Sequence, residues 1–123
     1  MLPKRRKREP LGIRPQAWIR CPGHLAFVRG FVCAIQGLAG HVCEGKIEAA
    51  HVRCGTDGGM SEKPSDCWAL PLCAAAHRHQ HQIGEPAFER QFGIDMKAKA
   101  AAIWRASGHR LKFLDHPANP VRF

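Results

Sequence analysis

Leu70-Pro71-Leu72-Cys73-Ala74-Ala75-Ala76-His77-Arg78-His79-Gln80-His81-Gln82-Ile83-Gly84 joins a helix-forming composition to metal-binding side chains. Pro71 suits the first turn of a helix, where its missing N–H is no loss, and Gly84 suits the end. A helix is therefore expected from Leu72 to about Gln82. Steps of four place Cys73, His77 and His81 on one face of it. Just upstream, Asp66 can cap a turn that runs through Trp68.

Residues 53–65 are too rich in Gly and Pro for regular structure, and a loop of that length in a small domain is usually functional. Before it, Lys46 to Val52 reads as an extended segment ending in His51, one of two such segments that could form a hairpin. A loop punctuated by Gly37 and Gly40 spans Cys33 to Cys43. Residues 24–32 suggest a short helix with Leu25, Val28 and Val32 on one face, though Phe27 and Phe31 also permit a strand. Downstream, Glu85 to Phe92 and Met96 to Ser107 are expected to be amphipathic packing helices. Phe88, Phe92, Ala100, Ile103 and Trp104 are their apolar positions, and Gly93 and Gly108 their stops.

The chain has 123 residues, with 19 Lys+Arg against 10 Asp+Glu, so one compact domain facing a polyanion is the expectation. Residues 1–30 hold eight basic side chains and one acid, leaving only +2 of the formal +9 for the remainder. The basicity is thus an N-terminal arm, residues 1–20, with Lys4, Arg5, Arg6, Lys7 and Arg8 at its head. Pro3, Pro10 and Pro15 should leave it unfolded until it meets a partner. No apolar run approaches the roughly 20 residues of a membrane span, and the first residues lack a secretory signal, which points to a cytosolic address without membrane contact. There, six Cys interleaved with eight His read as metal ligands before disulfides, with a Cys54–Cys67 bridge as the alternative.

Five of the eight His and four of the six Cys fall between His41 and His81. Tetrahedral zinc takes about four such ligands. Cys33 and Cys43 can supply a loop pair, and Cys73 with His77 a helical pair. Cys21, His24, His41, Cys54 and Cys67 are possible substitutes. A second group, His51, Asp66, His77 and His81, offers imidazole and carboxylate to a harder ion. Phosphodiester hydrolysis needs such a cation, a base for water, and a group that orients the base.

The ordered runs Glu48 to Met60, Lys63 to Cys73 and His77 to Glu85 resemble the HNH (ββα-metal) endonucleases, nearest to small bacterial and phage proteins akin to recombination-enhancement nucleases. The resemblance covers roughly residues 22–107. It implies an α+β fold, a small zinc-stapled ββα-metal core over residues 21–108, with additional C-terminal helices, the basic arm before it and a tail at 109–123. It also implies that His51 is the general base, that Asp66 orients it or touches metal, and that His77 and His81 hold a divalent ion such as Mg2+ or Mn2+.

A structural zinc on Cys33, Cys43 and Cys73, completed by a helical His, would follow as well. The expected division gives His77 to zinc, and His81 with Asp66 to the catalytic ion. Ala50 stands where many relatives carry an acid or a second His, so Glu48, Asp57 or water would have to supply that ligand. DNA is the implied partner, contacted by the arm, by Arg53 and by His79, which lies about 200° around the helix from His77. A recombination or phage DNA-processing protein is a further candidate partner. The rival readings are a non-catalytic zinc module that grips DNA or RNA, and a protein-interaction module.

Overall fold

The computed structural model describes residues 17–59 and 62–121. Lys4, Arg5, Arg6, Lys7 and Arg8 lie outside the described residues. The architecture is small and α+β: helix α1 (Pro22–Arg29), strand β1 (Ile47–His51), a 3-10 turn (Asp66–Trp68), strand β2 (Ala69–Cys73), helices α2 (Ala74–Ile83), α3 (Glu85–Phe92) and α4 (Met96–Ala106), and a 3-10 segment (Gly108–Phe113). No described helix is long and apolar enough to cross a membrane.

The two strands form an antiparallel pair in which His51 faces Ala69 and Ala49 faces Pro71. Here the structure corrects the sequence reading, because Pro71 lies in the middle of a strand and the helix begins only at Ala74. All five residues of β2 are buried, so no alternation marked it as a strand. The Pro71 carbonyl accepts from the Ala34 amide at 2.8 Å, on the edge of β2 away from β1. The proline nitrogen faces that same edge, where the ladder requires no donor.

Cys73 ends the strand and starts the helix, its sulfur accepting from the Ala76 amide at 3.4 Å. Gly84, at φ 85°, turns the chain directly into α3. Gly93 closes α3 in the left-handed conformation, and the Asp95 carboxylate caps α4 at the Ala98 amide. Trp104, Phe88, Ile19, Ile35, Leu70, Leu72 and Met96 are fully buried together and form the core between hairpin and helices.

Other expectations shift in detail. In α1 the buried pair is His24 and Val28, while Val32 lies beyond the helix and is exposed. Gly108 opens the last 3-10 segment and is not a helix stop, since Ser107 ends α4. The segment from His109 folds back: buried Asn119 accepts from the Trp104 indole at 2.8 Å and donates to the Phe113 carbonyl at 2.9 Å. At the other end, Ile19 is buried and its amide donates to Ser65, so the last residues of the expected arm belong to the core.

Candidate functional site

Cys33, His41, Cys43 and Cys73 converge, their ligand atoms all within 4.8 Å of one another. An ideal zinc site with bonds of about 2.1–2.3 Å has edges of about 3.4–3.8 Å, so a small contraction seats the ion. Three thiols and one imidazole suit a metal such as zinc. Turns at Cys33–Gln36, Ile35–Leu38 and Leu38–His41, anchored by buried Ile35, fold the glycine-punctuated loop back on itself. The nine-residue gap between Cys33 and Cys43 is thereby closed.

Gly45, at φ 84°, lets the chain press against the start of α2, where a Cβ would stand 2.6 Å from the Ala74 Cβ. The Ala75 amide then donates to the Glu44 carbonyl at 3.1 Å. Burial pushes the Cys73 thiol up, but hydrogen bonds from the Ala76 and Glu44 backbone, His41 and Cys43 bring it down to about 7. Cys43 is driven the other way, up to about 12, by desolvation and then by Cys33 and Cys73. A bound cation would draw the thiol protons off.

His41 therefore takes the place expected for His77. Cys21, Cys54 and Cys67 lie outside this cluster, and all six cysteines are free, so the Cys54–Cys67 alternative is not formed. Burial pushes the Cys67 thiol up to about 12, which keeps it protonated. His24 is also excluded: fully buried, it sets Nδ1 3.0 Å from the Ser107 hydroxyl and packs edge-on against Trp104.

At the end of β1, His51 Nε2 lies 2.9 Å from Asp66 Oδ1. The expected cap at Asp66 is not formed; its carboxylate turns to His51 and, through Oδ2, accepts from the Cys21 amide at 2.6 Å. Burial pushes this carboxyl up, but the His51 hydrogen bond, the Cys21 amide and the charges of His51 and Arg20 outweigh it, holding the group below its ordinary value. Ionised Asp66 only accepts, so in the neutral form of His51 the proton resides on Nε2 and Nδ1 carries the lone pair. Arg20 stands 3.8 Å from Asp66 and anchors to the Pro64 and Lys63 carbonyls at 2.6 and 2.7 Å.

The loop after His51 is held from inside. Buried Glu85 accepts from the Arg53 amide at 2.8 Å and the Cys54 amide at 3.0 Å. Asp57, weighed as a metal ligand, instead binds the Ser65 amide at 2.9 Å and the Ser65 hydroxyl, closing the loop on itself.

On α2, His77 Nδ1 lies 2.9 Å from Glu48 Oε1, and His77 Nε2 lies 3.0 Å from His81 Nε2. Both oxygens of Asp66 are engaged elsewhere, and among the described residues no hydrogen bond or ion pair joins the His51–Asp66 pair to this group. The hydrogen-bonding neighbour of His81 is His77. His79 packs near Phe88 and Phe92, with Nε2 2.6 Å from Gln91, so it faces α3 more than solvent. The Arg53 side chain is exposed.

Sequence reasoning gave no role to Arg20, Glu85 or Gly45. Glu85 stood within the resembling run, and Gly45 two residues after Cys43, but spacing alone does not reveal a buried carboxylate that gathers amides or a turn that grazes a helix. No curated protein and no solved structure was found to match the chain. Residues 13–108 match the family described as Protein of unknown function (DUF968), and with most of its length so covered the chain belongs to that family.

Proposed function

We propose that this chain is a metal-dependent endonuclease of the HNH type that hydrolyses DNA phosphodiester bonds. The observation that carries this reading is His51 held at 2.9 Å by an ionised, buried Asp66 at the end of β1. A carboxylate on one imidazole nitrogen fixes the tautomer and leaves the other nitrogen basic, as general-base catalysis requires. His51 Nδ1 takes the proton from water, and Asp66 stabilises the imidazolium that forms. His77 and His81 would hold a divalent ion such as Mg2+ or Mn2+, which when bound would supply charge stabilisation at the scissile phosphate and the leaving oxygen. The Cys33–His41–Cys43–Cys73 cluster staples the 33–43 loop to the junction of β2 and α2. The basic arm adds sequence-independent affinity that falls steeply with salt.

A plasmid-nicking assay with Mg2+, Mn2+ or EDTA tests this. His51→Ala should lower nicking by about 100-fold or more, the span of a general base, with metal content and DNA binding retained. Unchanged nicking by the variant would remove His51 from this role. The Cys/His cluster alone favours a second reading, a zinc module that grips DNA or RNA without cleaving. Clean wild-type protein that nicks no DNA with any ion would select it.

A further inference from the structure

Strand β1 has a two-residue side-chain period, so Glu48 and Ala50 share one face. Ala50 is buried and has nothing to offer a cation, whereas Glu48, about one pleat away, is exposed and reaches across to α2. Its carboxylate meets Nδ1 of His77 at 2.9 Å, not Nε2. An ionised carboxylate only accepts, so His77 must carry its proton on Nδ1, and the Nε2 lone pair is left facing Nε2 of His81 at 3.0 Å.

We infer that Glu48 is a positioning residue for a divalent-cation clamp formed by Nε2 of His77 and Nε2 of His81. It holds the His77 tautomer and ring without itself touching the ion. Without a cation, His81 Nε2–H donates to His77 Nε2. When a cation enters, that proton moves to the other nitrogen of His81 and both Nε2 lone pairs become available. Two nitrogens 3.0 Å apart match adjacent corners of an octahedron with bonds of about 2.1 Å, and leave the remaining corners to water or a phosphate. A carboxylate on the far nitrogen of a ligating imidazole is a recurring way to orient and strengthen it. Glu48 has this role only if α2 carries the divalent ion proposed above.

Titration of Zn2+-saturated protein with Ni2+, an imidazole-favouring ion, by calorimetry tests the clamp without DNA. His77→Ala and His81→Ala should each abolish the site. Glu48→Ala should weaken Ni2+ binding about 10–100-fold, and Glu48→Gln, whose amide oxygen still accepts from Nδ1–H, should recover most of it. Zinc content and melting temperature should stay at wild-type values in both Glu48 variants. Wild-type Ni2+ affinity in Glu48→Ala overturns the inference. So does a loss in Glu48→Gln as large as in Glu48→Ala, which would make Glu48 a direct ligand. Clamp binding with these dependencies in protein that nicks no DNA upholds the clamp and removes the nuclease. His51-dependent nicking in protein whose Ni2+ affinity ignores Glu48 does the reverse.

Discussion

Helix α2 carries a metal-competent group at its start and another one to two turns further on, and the two are built differently. At the start, Cys73 joins Cys33, His41 and Cys43 from a separate loop; Cys33 and Cys73 are 3% and 0% exposed. Four protein ligands close that set, the pattern of a structural site. Further along, His81 is exposed and His77 half-buried with a single carboxylate behind it, which leaves room for an outside group. One group adds a tie between a loop and the β2–α2 junction, and the other can be emptied without disturbing the core. The contrast separates a fold-holding role from a ligand-holding one.

The largest expected effect is at the closed group. With a metal such as zinc bound there, its chelation, or Cys73→Ser, should unfold the hairpin and α2, since structural zinc contributes about 10 kcal/mol or more in small domains. Circular dichroism during thermal melting reads this, and an unchanged melt would deny the cluster its role.

Acid provides the next test. Burial, then the charge of His109, lower His24 to about 4, with Asp66 pulling weakly the other way. The unfolded chain therefore accepts a proton that the folded chain refuses. Stability should fall as the pH drops below about 6.5 and the His24 contribution should level off near 4, a loss on the order of 3 kcal/mol. An imidazole NMR titration checks it; protonation of His24 near 6.5 in folded protein would rule it out.

A smaller effect is expected at Gly45→Ala, which combines positive φ with a 2.6 Å approach to Ala74. About 2 kcal/mol of destabilisation in urea unfolding is expected. Smallest of all, His77→Ala should change stability by no more than about 0.5 kcal/mol, as for a half-buried side chain outside the core. A loss as large as that of Cys73→Ser would erase the distinction between the two groups.

The legible parts were those with local signals. Glu85–Phe92 was readable from its apolar positions Phe88 and Phe92 and its Gly93 exit, and β1 from its short extended run before the loop. Cys33, Cys43 and Cys73 stood out by residue type. Strand β2 was not legible, because a run buried on both faces carries no period and Pro71 mimics a helix start. The neighbours of His79, namely Phe88, Phe92 and Gln91, were not legible because they lie on the following helix.

Composition and motif order determined that this chain carries metal-ligating Cys and His, an imidazole at the end of an extended segment, and a strongly basic start. Tertiary structure alone decided that His41 and not His77 completes the sulfur cluster, that Asp66 binds His51 and a backbone amide instead of capping its turn, and that Glu48 lies behind His77. Ligand type is a property of the residue, and a helical step of four of the local backbone. Which donors meet across 15, 29 or 32 residues depends on loop closure and on how the hairpin packs against the helix, which no local pattern encodes.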